Sequence, residues 1–159
     1  MGGTVVTHTV PVDLERHLEE QIGFVLFGPE GHKVVYTSAG AVKVIRKGLP
    51  LSSIKHVQKS LQMEDEGEIL KLMQLSVRTY QRRKKDRKPL DPVESDRLYR
   101  LAKIQSKAVE VFQDKEVAVD WLKRPNRALG DIPLQLLDTE AGADMVERVL
   151  TRIEHGVYS

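Results

Sequence analysis

The densest run of side chains able to do recognition chemistry is Arg78-Thr79-Tyr80-Gln81-Arg82-Arg83-Lys84-Lys85, with Arg87 and Lys88 just beyond. Arginine offers a fork of donors that fits the edge of guanine, and glutamine pairs in the same way with adenine. At helical spacing Arg78, Gln81, Arg82 and Lys85 share one face, while Val77 and Tyr80 are expected to face a core. Arg83, Lys84, Arg87 and Lys88 then suit phosphate contacts, which orient a protein on DNA without reading its sequence. Ser76 is placed to cap this helix, and a preceding helix ends near Met73. That is helix-turn-helix spacing, with the second helix entering the major groove. A ten-residue helix is about 15 Å long, enough to cross a groove about 12 Å wide. Gln74 stands at the turn position that favours glycine, because the backbone there needs a positive φ.

Nothing comparable points to catalysis. His8, His17, His32, His56 and His155 lack metal-ligand spacing, and cysteine is absent from the chain. Gly28-Pro29-Glu30-Gly31-His32-Lys33 is too short for a phosphate loop and continues with Val34 where Ser or Thr is required. Ser52 to Lys55 forms a Ser-x-x-Lys pattern without its partner motifs. Asp138, Glu140 and Asp144 gather at a helix start, where the helix dipole accounts for them. No catalytic residue, metal site or cofactor is expected, and the chain reads as a non-enzyme.

The elements that must hold the basic run follow from composition and periodicity. The 159 residues are 40% hydrophobic, 30% charged and only 5% aromatic, with a net charge of +2. That charge is uneven: residues 41–90 hold thirteen Lys or Arg against five acids, between two flanks that are each net acidic. A basic middle fits either a polyanion-binding module or a solvated basic face, and the coincident turn, cap and amphipathicity favour the first. No run is long and apolar enough to span a membrane, and the start Met1-Gly2-Gly3-Thr4 lacks signal-peptide character, so a soluble cytoplasmic protein is expected.

Periodicity predicts a mainly α fold. Val6 to Val10 alternates as a short strand or an ordered tail would. A helix from Asp13 carries Leu14, Leu18 and Ile22, and the apolar run Phe24 to Phe27 is followed by a turn at Gly28-Pro29. Residues His32 to Tyr36 are open to strand or helix. Ser38 is expected to cap a helix with Ala41, Val42 and Ile45 inward, and Gly48 to stop it. Further helices follow: Ile54, Val57 and Leu61 line one, and Ile69, Leu70, Leu72 and Met73 the next. Asp91-Pro92-Val93-Glu94 is a strong start for a long helix through Leu98, Leu101, Ile104, Ala108, Val111 and Phe112. Asp114 caps a short helix with Val117, Ala118, Trp121 and Leu122. Leu134, Leu136 and Leu137 form an apolar patch, and a last helix places Ala141, Met145, Val146, Val149, Leu150 and Ile153 inward.

Two stretches carry a family resemblance. Arg46-Lys47-Gly48-Leu49-Pro50-Leu51 through Ser76, Thr79, Arg82 and Arg83 resembles the Xre-like helix-turn-helix half of the Xre/MbcA/ParS antitoxins. Pro125-Asn126-Arg127-Ala128-Leu129-Gly130, Pro133 to Gly142, and Arg152-Ile153-Glu154-His155-Gly156-Val157-Tyr158-Ser159 resemble the toxin-binding C-terminal half. Gln74, Tyr80 and Asp131-Ile132 depart from the usual pattern.

The resemblance implies a variable segment over 1–37, a helix-turn-helix domain over 38–90 and a small helical toxin-binding domain over 91–159. It implies an antitoxin that neutralises a RES-domain toxin, an enzyme that consumes NAD or transfers ADP-ribose from it. It also implies a dimer that binds operator DNA of its own operon through Ser76, Arg78, Thr79, Gln81, Arg82, Arg83, Lys84 and Lys85. The toxin-facing residues are then Arg152, Glu154, His155, Gly156, Val157, Tyr158 and Ser159. Gly156 lets the chain turn off the last helix, and three extended residues reach about 10 Å, far enough to enter a nucleotide cleft. Tyr158 could fill a slot there and the Ser159 carboxylate meet basic groups, or the tail could fold back on its own helix. The alternatives are a stand-alone Xre-type regulator whose C-terminal half only dimerises, or a regulator that senses a small molecule.

Overall fold

The computed structural model describes residues 12–33 and 37–156. Among them there is no strand, only an isolated antiparallel bridge between Asn126 and Asp131. The expected alternation at Val6 to Val10 and the end of the His32 to Tyr36 segment lie outside the described residues.

The first helix, α1 (Val12–Phe27), runs on through the apolar stretch and buries Ile22, Val25 and Leu26 against α3 and α6. A 3₁₀ turn over Gly28–Lys33 follows. In α2 (Ser38–Lys47) the cap is Thr37 and not Ser38: the Thr37 hydroxyl accepts from the Gly40 amide at 3.1 Å. Only Ala41 of the expected inward set is buried there, and Val42 stands 45% exposed, although α2 packs on α6.

Gly48 stops α2 with φ +97, and the chain after it is clamped to the start of α6. The Leu90 amide donates to the Leu49 carbonyl at 2.9 Å, and the Leu49 amide donates to the Ser95 hydroxyl at 2.8 Å. Three short helices complete this half: α3 (Ser52–Ser60), α4 (Glu66–Leu72) and α5 (Val77–Asp86). Asp65 caps α4 and Ser76 caps α5.

The long helix α6 (Pro92–Phe112) opens with a complete capping box: Glu94 N–H donates to Asp91 at 2.8 Å, and Asp91 N–H to Glu94 at 2.9 Å. It buries Leu98, Leu101, Ala102, Ile104 and Ala108 in one apolar cluster that runs from Ile22 on α1 to Leu150 on α8. The two halves therefore share a core rather than owning one each.

After Asp114 as cap, α7 (Lys115–Lys123) buries Ala118, Val119 and Leu122. Val117, expected inward, is 49% exposed because the first turn of α7 projects past the core. Trp121 is half-buried, with its ring 5.6 Å from that of Phe112. A 3₁₀ segment over Pro133–Asp138 buries Leu134 and Leu137.

Thr139 then caps α8 (Glu140–Glu154). Its buried stripe is Gly142, Ala143, Val146 and Leu150, so Ala141 and Met145 face out where they were expected to face in. The small residues decide this phase. A Cβ on Gly142 would lie 1.9 Å from the Leu136 carbonyl oxygen, so that side of α8 must be the one against the chain.

Candidate functional site

The turn between α4 and α5 has the geometry a helix-turn-helix needs. Gln74 takes φ +53, and the Leu75 amide donates back to the Leu70 carbonyl at 2.9 Å. Three contacts from the far half hold the turns of this half. Arg97 donates to the Met73 carbonyl at 3.1 Å, Gln74 donates to the Asp138 carbonyl at 3.3 Å, and Lys123 donates to the carbonyl of Gln62, itself at φ +52, at 2.7 Å.

The Ser76 hydroxyl accepts from the Thr79 amide at 3.1 Å and donates to the Thr79 hydroxyl at 2.9 Å, which fixes the tip of α5. Tyr80 is 2% exposed, and its phenol donates to Glu66 on α4 at 3.1 Å. Burial first, then the Glu66 hydrogen bond and charge, push the Tyr80 pKa up to about 12. An unfolded tyrosine ionises near pH 10. This group's contribution is therefore complete below about pH 10 and is lost as pH rises towards 12. Tyr99, raised by burial and by Glu19, acts in the same direction. The expected result for Tyr80→Phe is a loss of roughly 1 kcal/mol at neutral pH and a shallower alkaline decline in urea-unfolding stability. An unchanged decline would remove Tyr80 from that account.

Arg78, Gln81, Arg82, Lys84 and Lys85 are all exposed on α5, with Arg87 and Lys88 after it and Thr79 half-buried. Two residues depart from expectation. Val77 does not face the core: it is 58% exposed, because the first turn of α5 extends beyond the point where Tyr80 enters it. Arg83 is not free for phosphate. Its side chain is 17% exposed and pairs with Glu94 at 2.9 Å and Asp91 at 3.5 Å, and donates to the Pro89 carbonyl at 2.9 Å. It ties the end of α5 to the start of α6. The pairing depends on α6 folding back, so no local signal in the basic run announces it. Lys84 lies 6.0 Å from the centre of the Tyr80 ring, the outer limit of a cation–π contact.

At the other end of α6, Lys103 pairs with Glu147 at 3.6 Å and Lys107 with Glu154 at 2.7 Å. Arg152, Glu154, His155 and Gly156 are exposed at the end of α8, and Gly156 has φ +68. Val157, Tyr158 and Ser159 lie outside the described residues. No cluster of three potential metal ligands occurs among the described residues, and no helix there is long and apolar enough to cross a membrane.

Residues 40–103 match the family described as the antitoxin Xre-like helix-turn-helix domain. Residues 107–156 match the antitoxin Xre/MbcA/ParS C-terminal toxin-binding domain. An "Antitoxin Xre" of Photorhabdus laumondii is 36% identical over 118 residues, covering 73% of this chain and 79% of that protein. The chain belongs to the Xre/MbcA/ParS antitoxin family.

Two further relatives are an "Antitoxin Xre" of Yersinia enterocolitica, 37% identical over 58% of this chain and 64% of its own, and a "Prs ADP-ribosylating antitoxin" of a Sphingobium species. The latter is 28% identical over 82% of this chain and 89% of its own. The molecule is thus an antitoxin of a toxin–antitoxin system, with a helix-turn-helix DNA-binding domain and a C-terminal toxin-binding domain. The two matched stretches meet inside α6 of this antitoxin.

Proposed function

We propose that this antitoxin neutralises a RES-domain toxin by placing Val157-Tyr158-Ser159 in the toxin's NAD cleft, and that it represses its own operon through α5. It acts as a cytoplasmic homodimer, takes no cofactor and catalyses no reaction. Residues 38–90 form the DNA-binding part, 91–159 the toxin-binding part, and 1–37 a variable N-terminal segment. Ser76, Arg78, Thr79, Gln81, Arg82, Lys84 and Lys85 meet DNA, with Arg83 anchoring their helix. Arg152, Glu154, His155 and Gly156 flank the inhibitory tail.

One observation carries this reading. The basic helix is pinned to the first turn of α6 through Glu94, and the end of α8 to its far part through Lys107. Thirteen residues of helix separate those anchors, about 20 Å, so DNA and toxin can be held at once without competing for surface. The name of the Sphingobium relative, "Prs ADP-ribosylating antitoxin", supports ADP-ribosyl chemistry on the toxin side. Dimerisation follows from affinity: one recognition helix covers little DNA, and two half-sites about 34 Å apart supply the rest.

The test of the toxin arm is coexpression with a RES-domain toxin. The chain lacking Val157–Ser159 should still copurify with the toxin yet leave its NAD consumption uninhibited. Equal inhibition by the shortened chain would refute occlusion, and the absence of any complex would refute the partner.

The DNA arm is read by operator binding. Arg82→Ala should cost roughly 1–3 kcal/mol and relax preference at one base pair. Lys84→Ala should weaken all sequences alike and lower the salt slope by about one unit. Arg83→Ala should instead lower folding stability by about 1–3 kcal/mol, since it leaves Glu94 without its partner. Operator binding that survives loss of Arg82, Lys84 and Lys85 together would refute the assignment.

A further inference from the structure

Val77 is a branched aliphatic side chain at the tip of the basic helix. It is the first residue of α5, directly after the Ser76 cap, and 58% exposed, one of the most exposed large apolar side chains among the described residues. Its helix neighbours Arg78 and Gln81 are exposed and polar. The core does not claim it, since Tyr80 fills the inward position one turn later.

The N-terminal residues of a recognition helix are the ones that reach base edges. Valine can neither donate nor accept a hydrogen bond, so it cannot read the polar atoms of any base. The major-groove edges present one apolar group, the C5-methyl of thymine.

We infer that Val77 reads a thymine in the operator by packing its two methyl groups against that C5-methyl. This deepens the proposed DNA reading and rests on α5 being the helix that enters the groove. Val77 would then set sequence preference beside Arg78 and Arg82, which suit guanine. The cap geometry supports the role: the Ser76–Thr79 bonds fix the backbone on either side of Val77 and leave its side chain little freedom to turn away.

The experiment uses the full chain and duplexes that it selects from an unmodified random pool, where that methyl occurs on thymine alone. Each thymine of the selected site is replaced in turn by deoxyuridine, which removes only the methyl. Wild-type binding should fall about fourfold at one position per half-site, the worth of burying one methyl-sized group. Val77→Ala should bind the parent site about as weakly as wild type binds the uridine site, and lose sensitivity at that position. Val77→Ile should retain it. Circular dichroism of both variants should match wild type, since the side chain is outside the core. Specific binding with no uridine-sensitive thymine, or a sensitivity unchanged in Val77→Ala, would overturn the inference and leave the DNA reading standing. Failure to enrich any site would overturn both.

Discussion

Residues 38–90 expressed alone are expected to give no cooperative unfolding transition, while the full chain gives one. The fragment keeps all of α2 to α5 but loses α6, and with it Leu98, Leu101, Ala102 and Ile104 from the shared cluster. It also loses the groups that satisfy its backbone: Ser95 for the Leu49 amide, Arg97 for the Met73 carbonyl and Lys123 for the Gln62 carbonyl. Arg83 is left without Glu94 and Asp91. A chain that short buries at best roughly 60% of its unfolded surface even when its core is complete, and this one would not be. Urea unfolding followed by circular dichroism decides the matter. A sharp transition with a slope suited to the fragment's size would show that the helix-turn-helix half folds independently.

Gly48→Ala should be strongly destabilising, at roughly 4 kcal/mol. Two costs add there. At φ +97 and ψ 125 Gly48 lies outside even the small left-handed region, so a residue with a Cβ there carries about 1–3 kcal/mol of strain. The new methyl would also sit 2.3 Å from the Leu90 carbonyl oxygen, which is backbone held by the Leu49–Leu90 hydrogen bond and cannot swing aside. Relieving that overlap costs roughly another 1–3 kcal/mol. Gly130→Ala carries backbone strain without a clash. Its φ of +69 is left-handed, but nothing lies within 4 Å of the added Cβ, so roughly 1 kcal/mol is expected. For a protein of this size the two substitutions should lower Tm by about 10 °C and about 3 °C respectively. Equal shifts would mean that the Leu90 contact yields without strain.

The helices and their order were legible because caps and periodicity are local. Asp91-Pro92-Val93-Glu94 announces α6, and Ser76 announces α5, without help from the rest of the chain. Facing was less legible. Val77, Val93 and Val117 all sit in first turns and are all about half exposed or more, because helix starts overhang the core they are aimed at. In α8 the hydrophobic count favoured Ala141 and Met145, while the true contact runs through Gly142 and Ala143, which earn burial by being small.

The basic face of α5 could be read from spacing, but the withdrawal of Arg83 could not. It follows from a partner eleven residues away that arrives only when α6 packs. The left-handed residues Gln62, Arg87 and Gln113 were equally silent, since glutamine and arginine give no warning of a positive φ. Gln74 is foreseeable only because the turn motif marks its place.

The continuity of α6 limits how this protein can be recombined. Its helix-turn-helix match ends at residue 103 and its C-terminal match begins at 107, both within one unbroken helix. A chimera between relatives joined there inherits a phase requirement that a flexible linker would not impose. One inserted residue turns everything beyond it by about 100° and advances it by about 1.5 Å, which parts Glu147 from Lys103 and carries α8 off the apolar side of the first part of the helix. Seven inserted residues restore the facing to within about 20° but move the toxin-binding half roughly 10 Å outward, beyond reach of Gln62 and Gln74. Exchange between such antitoxins is therefore expected to preserve the length of this helix, and to move the two specificities only through surfaces that leave it intact.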